Sequence, residues 1–423
     1  MARQVPYSEP IDLQDLAEQF DNLTVLQNDD GYVNFKDPKV HKAVTRAILE
    51  VDFGLKVQLP DDRLCPPVPN RFNYVRWIQD LIDQTSPQYT DKYDPEREVI
   101  GLDIGTGAAA IYALLALKTR SRWKMCVTDI DKKSLECAKK NLALNNLHPR
   151  TRAVRTTALH PLIPLKDLGV DRLDFIICNP PFFTSEEDMR KSTEGQDKKY
   201  PPHANCTGTT TEMVCPGGDF GFVSQILQES LVLQEKIQWY SSMLGKLESA
   251  YKVITLLRKY GVENYAVGII DTGGRTRRWI VAWSFGDLRP RNELLRPDRF
   301  EHEYLAFPTR YQIPLAPNQN PEGIQGEIFG QLASLDMEFE TTTGVGVASQ
   351  NVWNRKYRFL KKKAQEAGLE VMATDNKVGL VFRVSSQEKP KEICIDWLRG
   401  HDQAVWESFC GFVHRLVRDV TAK

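Results

Sequence analysis

Four consecutive residues, Asn179, Pro180, Pro181 and Phe182, form the most chemically specific stretch of the chain. They follow an apolar run over 173–178 that reads as a buried strand. Two successive prolines cannot extend a sheet ladder, so the strand must end there in a stiff turn. The turn sets an amide side chain at its start and an aromatic ring at its close. In open α/β sheets the C-terminal ends of strands are where ligands bind. This arrangement suits an amine conjugated with a planar ring, whose delocalised lone pair makes it a poor nucleophile. The Asn179 oxygen and a proline carbonyl can each accept one N–H of that amine, favouring tetrahedral nitrogen as it attacks an electrophile. Phe182 can stack on the ring. The plain alternative is a Pro-Pro turn closing a core strand, with Phe182 as ordinary core.

A second stretch narrows the choice. Over 99–109 a short apolar strand carries Asp103 and runs into a turn with Gly105 and Gly107. The glycines permit a tight turn and close approach of a ligand to the backbone. The pattern departs from the dinucleotide GxGxxG: Ala110 occupies the third glycine position, and Asp103 precedes the turn. An acid there suits a cationic or amine-bearing ligand better than a pyrophosphate, and S-adenosylmethionine carries both a sulfonium and an amino group. Asp129 closes the next apolar run, 124–128, at the position that holds a ribose diol in such sheets. A ligand turn, a ribose acid and an amine-orienting turn, in that order, point together to methyl transfer.

These residues need a scaffold of alternating strands and helices. Asp37 and Pro38 can start a helix that runs to about residue 51, before Gly54. A second helix, 71–82, has Arg71 and Asn73 at its start, where side chains can reach a carboxylate or a nucleotide. Helices are expected over 11–20, 108–117, 134–145, 222–236 and 251–260, and strands over 152–155, 239–244, 264–271 and 278–285. The alternation implies a doubly wound parallel sheet. The last two strands form a hairpin whose tip holds Arg275, Arg277, Arg278 and Trp279, able to neutralise phosphates, although a solvated turn looks the same in sequence. Residues 184–218 make a long polar loop, of a length that is usually functional or disordered.

The formal net charge of −1 makes any basic surface local. No run of about 18 apolar residues occurs, and the N-terminus lacks the apolar core of a signal peptide, so no membrane association is expected. The eight cysteines are scattered, as in a reducing compartment. His203, Cys206 and Cys215 lie near one another without a CxxC or HxxxH spacing, so no metal is expected.

Several separated stretches resemble the methyltransferase-like protein 16 family, and a fungal-type member in particular. They are Asn34-Phe35-Lys36-Asp37-Pro38, Asp52-Phe53-Gly54-Leu55, Asn73-Tyr74, Asp103 to Ala108, Asn179 to Phe183, Trp239-Tyr240-Ser241 with 243–246, and Gly274-Arg275-Thr276 with Arg278-Trp279. The resemblance covers about residues 30–285. It implies an α/β, Rossmann-like class I S-adenosylmethionine-dependent methyltransferase that acts on an adenosine N6 in U6 spliceosomal RNA, at an ACAGA-like box. By matching position, Arg71, Gly105, Asp129, Thr157 and Asn179 would line the cofactor site, with Asp103 and Gly107 in the same turn. Ala109 stands where the family has a small hydroxyl residue. Asn179, Pro180, Pro181 and Phe182 would be catalytic, and Lys36, Lys246, Arg275 and Arg278 would face RNA, with Arg277 beside them.

The expected organisation is a methyltransferase domain over 1–288, a Pro- and Arg-rich linker over 289–322, and a small α+β domain over 323–423. A helix over 351–367 carries Arg355, Lys356, Arg358, Lys361, Lys362 and Lys363 and is the expected RNA contact of that domain. Nothing in the sequence indicates an oligomer, so a monomer is expected; the resemblance further implies action on RNA, including other hairpin RNAs, rather than DNA, in the nucleus and also the cytoplasm. Methylation of guanine N2 or of a protein glutamine amide stays open, because both present a planar amine. So does an RNA-binding scaffold with weak catalysis, for which Ala109 is the hint.

Overall fold

The computed structural model describes residues 2–12, 16, 37–194, 208–274, 276–366 and 378–422. Two compact units emerge: Met1–Asp83 with Lys92–Gly286 and Pro297–Ala306, and Gln84–Asp91 with Asp287–Arg296 and Phe307–Lys423.

The first unit is built on seven strands: β1 (Val99–Ile104), β2 (Trp123–Asp129), β3 (Thr151–Arg155), β4 (Leu173–Cys178), β5 (Ile237–Leu244), β6 (Tyr265–Ile270) and β7 (Arg278–Trp283). Their order is β3-β2-β1-β4-β5-β7-β6. Strands β1 to β5 pair in parallel, while β7 runs antiparallel to both β5 and β6. The sheet is therefore mixed, because the β6–β7 hairpin folds back onto β5. Chain order reverses between β1 and β4, which opens a crevice at their C-terminal ends. Register sets the height of that crevice: Ile104 pairs with Cys178 and with Thr128. Gly105, Asn179 and Asp129 thus leave the sheet side by side.

Helices α1 (Pro38–Phe53), α2 (Val68–Gln84), α3 (Ile111–Thr119), α4 (Lys132–Leu144), α5 (Gly218–Leu233) and α6 (Leu247–Lys259) accompany this sheet. Asp37 caps α1 by accepting from the Lys39 N–H at 2.8 Å, and Gly54 ends it in the left-handed conformation. Helix α2 begins at Val68, earlier than its prolines suggest, because Pro69 fits a first helical turn. It buries Phe72, Val75, Ile78 and Ile82. Tyr74 is tied to Ser241 Oγ at 2.7 Å, and Ser241 donates to the Ile176 carbonyl at 2.6 Å, which fastens α2 to β5 and β4. Helix α3 starts at Ile111 rather than 108, since Gly105, Gly107 and Ala110 all have positive φ and prolong the turn. The helix expected over 11–20 falls largely outside the described residues.

The second unit holds strands β8 (Arg310–Pro314), β9 (Glu338–Glu340), β10 (Val345–Ala348), β11 (Leu380–Glu388) and β12 (Lys391–Arg399), all antiparallel in the order β8-β12-β11-β10-β9. Helices α7 (Pro321–Ala333), α8 (Arg355–Glu366) and α9 (Gln403–Thr421) complete it. Its core includes Trp353, Phe382, Trp397, Trp406 and Phe409. Residues 289–322 are not a linker. They hold edge strand β8 and the start of α7, and two of their arginines are structural: Arg291 pairs with Asp91 at 2.5 Å and Arg310 with Asp396 at 2.7 Å. A Pro- and Arg-rich composition concealed an edge strand, where proline is tolerated.

Candidate active site

The crevice between β1 and β4 is lined by the glycine turn, the ends of β2 and β4, the start of α2 and a segment around Glu212. The turn is tied to the end of β2 by two of its own amides. The Thr106 N–H reaches the Thr128 carbonyl at 2.9 Å, and the Gly107 N–H reaches Asp129 Oδ2, also at 2.9 Å. Asp129 Oδ1 accepts from the Asp131 N–H at 2.8 Å. Gly105 has φ +69°, and a Cβ placed on it would meet no atom within 4 Å. Both the conformation and the open space beside it favour glycine where a ligand approaches.

Asp103 lies beneath this turn, wholly buried, and is not itself part of the lining. Its Oδ2 accepts from Thr106 Oγ1 at 2.7 Å, while Oδ1 has no partner among the described residues. Burial pushes its carboxyl up to about 7, the nearby Asp129 adding to the rise and Thr106 and Arg71 opposing it. Asp129 is also raised by burial, against the pull of the Asp131 and Gly107 amides.

At the other wall, Arg71 is buried on α2 and bridges three groups through Nη1: Asn179 Oδ1 at 2.6 Å, Tyr112 Oη at 3.1 Å and Met243 Sδ at 3.1 Å. The guanidinium orients the Asn179 amide so that its oxygen is the fixed end. Tyr112 gave no sign of this in sequence, since it sits inside the apolar run of α3.

Phe182 is seated by the surrounding backbone. A Cβ on Gly245 would stand 2.7 Å from Phe182 Cδ1, so only glycine leaves room for the ring. Gly245 is in turn held by buried Asp219, whose Oδ2 accepts its N–H at 2.8 Å and whose Oδ1 accepts from Ser249 Oγ at 2.7 Å. The Arg278 guanidinium lies 5.4 Å from the Phe182 ring centre, within cation–π range. The polar loop after the turn returns to it: the Phe183 N–H donates to the Met213 carbonyl at 2.9 Å and the Cys215 N–H to the Phe183 carbonyl at 3.0 Å. The described parts of that loop include helices Glu186–Glu194 and Thr210–Met213.

Arg71, Gly105, Gly107, Asp129, Asn179 and Pro181 therefore converge on one cavity, and of the other two turn residues Pro180 is buried and Phe182 directly follows Pro181. Thr157 does not join them. It is exposed and bonds His160 Nδ1 at 2.7 Å, whereas its neighbour Thr156 is buried, donates its N–H to the Asp129 carbonyl at 3.0 Å and lines the cavity. A residue of loop separates strand alternation from its continuation, and the two threonines cannot be told apart by type. Leu64, Glu212 and Phe222 also line the cavity and were not anticipated.

Of the basic residues, Lys246 is exposed beside Gly245, and Arg277 pairs with Asp271 at 3.0 Å. Lys361 pairs with Asp336, Lys362 is exposed, and Lys363 lies 4.8 Å from the Phe359 ring centre. Lys36 and Arg275, with His203 and Cys206, fall outside the described residues. The stretches Asn73-Tyr74 and Asp52-Phe53 have a structural duty: Asn73 exchanges two hydrogen bonds with the Tyr7 backbone, at 2.8 and 2.7 Å, and Asp52 receives the Tyr7 hydroxyl.

The cavity fits a nucleoside with a zwitterionic amino-acid tail: a carboxylate for a diol at Asp129, glycine backbone at the bend, and a guanidinium at the far end. With the strand order, this defines a Rossmann-like methyltransferase, whose methyl donor is S-adenosylmethionine. A family model described as RNA methyltransferase matches residues 4–287. The U6 small nuclear RNA (adenine-(43)-N(6))-methyltransferase of Schizosaccharomyces pombe is 34% identical over 407 residues, covering 92% of this chain and 96% of the relative. Among solved structures, the human METTL16 catalytic domain in complex with MAT2A 3'UTR hairpin 1 superposes with a TM-score of 0.58 at 34% identity, covering 67% of this chain and 95% of that one. The N-terminal domain of human METTL16 in complex with SAH gives 0.54 at 33%, covering 68% and 99%. The chain spans about half the length of the mouse and human METTL16 proteins it matches. The chain belongs to this RNA methyltransferase family.

Proposed function

We propose that the protein transfers a methyl group from S-adenosylmethionine to the exocyclic amine of an adenosine in U6 spliceosomal RNA. The observation that carries this reading is the convergence of the glycine turn, Asp129 and Asn179 at one height of the sheet, with Phe182 following in the same turn. The near full-length likeness to the S. pombe enzyme supports the RNA and the position.

In this reading Asp129 and the Gly105–Gly107 backbone hold the nucleoside end of the cofactor, and Arg71 holds its carboxylate. When bound, the cofactor supplies an electrophilic methyl group on sulfonium. Phe182, seated by Gly245 and flanked by Arg278, stacks on an adenine taken out of its stack. Asn179 Oδ1 has two lone pairs: one takes Arg71, and the other accepts an N–H of the incoming amine. The second N–H goes to a proline carbonyl of the rigid turn, and these fixed acceptors favour the pyramidal amine over the planar one. The amine's proton leaves to solvent after transfer. Lys36, Lys246, Arg275, Arg277 and Arg278, with Lys361, Lys362 and Lys363 on α8, are the proposed phosphate contacts. We further infer a monomer that acts on RNA rather than DNA, in the nucleus.

Asn179→Ala tests the catalytic assignment. The variant should bind S-adenosylhomocysteine within a few-fold of wild type and lose about 100-fold or more in turnover, the scale for removing one preorganised transition-state partner. Near-normal turnover would remove Asn179 from the chemistry.

A further inference from the structure

The loop that follows the Asn179–Phe182 turn sends one acid back into the cofactor cavity. Glu212 lines that cavity although it lies on neither the glycine turn nor a strand end. Its two oxygens have different surroundings. Oε2 is saturated: it accepts from the Thr209 N–H at 2.8 Å, Thr209 Oγ1 at 3.1 Å and the Leu64 N–H at 3.3 Å. Together with the Thr209 side chain this forms a reciprocal capping box on the helix Thr210–Met213. Oε1 makes no hydrogen bond among the described residues and stands 3.9 Å from where a Cβ on Gly107 would be.

Gly107 is also the residue whose N–H is held by Asp129 Oδ2. Two carboxylates therefore flank the same small volume above Gly107, one from the sheet and one from the loop. Their mutual repulsion contributes to the raised carboxyl of Asp129. Asp131, the third acid nearby, is committed to Arg63 at 3.0 Å and to the Ser134 N–H at 2.7 Å. A cation is a poor occupant, because no group of three or more His, Cys, Asp or Glu side chains able to hold a metal exists among the described residues. A vicinal diol answers both acids at once, since it presents two O–H donors a short distance apart.

We propose that Glu212 is a second ribose-holding residue, which accepts one hydroxyl of the cofactor ribose through Oε1 while Asp129 accepts the other. The proposal rests on the cofactor assignment above and adds a residue to it. It also couples two sites. Met213, the next residue, receives the Phe183 N–H, so the segment that closes on the ribose fastens the backbone immediately after the base-binding turn. Cofactor occupancy then steadies the backbone next to Phe182.

The test is the binding of S-adenosylhomocysteine and of its 2′-deoxy and 3′-deoxy analogues, measured by calorimetry on the full chain and its Glu212→Gln variant. Glutamine serves the capping box as well as glutamate, so the loop keeps its anchor while Oε1 is replaced by an N–H donor. S-adenosylhomocysteine should bind the variant roughly tenfold or more weakly, the scale for a charged hydrogen-bond acceptor. One of the two deoxy analogues, lacking the hydroxyl that Glu212 holds, should bind both proteins alike. The Phe183 amide should gain protection from hydrogen exchange on cofactor binding in the wild type and less in the variant. Unchanged affinity would overturn the proposal, as would an equal loss against all three ligands, which would mark a purely structural effect. If the wild type bound none of them, the cofactor assignment itself would fall.

Discussion

Arg71 holds the Asn179 amide oxygen in place, and in the proposed reaction the same oxygen accepts the incoming amine. Residue type and position disclosed Asn179, Gly105 and Asp129, because each sits where a strand must stop. The Arg71–Asn179 contact was not legible, since the two residues are far apart in sequence and nothing local links a helix start to that turn. Asp103 makes a prediction of its own. Its carboxyl is raised to about 7 in the folded chain by burial, well above the ordinary carboxylate range. A group raised in this way binds more protons folded than unfolded, so its stabilising contribution is complete below about pH 4 and is lost as pH rises through about 7. Cofactor-free wild type should therefore lose stability between about pH 4 and 7 relative to Asp103→Asn, measured by urea unfolding across that range. Parallel stability curves for the two proteins would show that Asp103 is not held protonated.

Elements position the aromatic ring. Helix α5 supplies Asp219, Asp219 fixes Gly245 after β5, and Gly245 leaves the space that Phe182 fills. Gly245→Ala should push the ring aside and lower methyl transfer at least tenfold, while S-adenosylhomocysteine affinity and the melting temperature change little. Unaltered transfer would mean that the ring's seat is not critical. Strand and helix positions in the first unit were readable from apolar periodicity, and Asp37 with Gly54 marked the ends of α1. The start of α3 was misplaced because three residues of positive φ, one of them Ala110, extend the turn. Alanine carries no signal for that conformation. The loop 184–218 was legible as long and polar, and Thr209 with Glu212 fits a capping signature, but its return to Phe183 is a tertiary contact.

On the scale of the whole molecule, the chain's two units are not consecutive in sequence, because Gln84–Asp91 and Asp287–Arg296 belong with the C-terminal sheet. Asp91 explains part of this, as it pairs with Arg291 and with Arg383 on β11. Composition alone assigned Arg291 to a linker, since a basic Pro-rich stretch looks solvated until its acidic partners are located. Asp91→Ala should leave the buried Arg291 without its partner and destabilise the second unit by about 3 kcal/mol, read as a lowered urea midpoint for tryptophan fluorescence, with the cofactor affinity unchanged. A midpoint equal to that of the wild type would make the pair incidental.

The most direct measurement is nucleoside mass spectrometry after incubating the protein with S-adenosylmethionine and U6 RNA, beside a matched RNA in which the central adenosine of the ACAGA-like box is replaced. The arrangement of Asn179, Phe182, Asp129 and the glycine turn predicts N6-methyladenosine in the first RNA and none in the second. N2-methylguanosine, or equal methylation of both RNAs, would contradict the account.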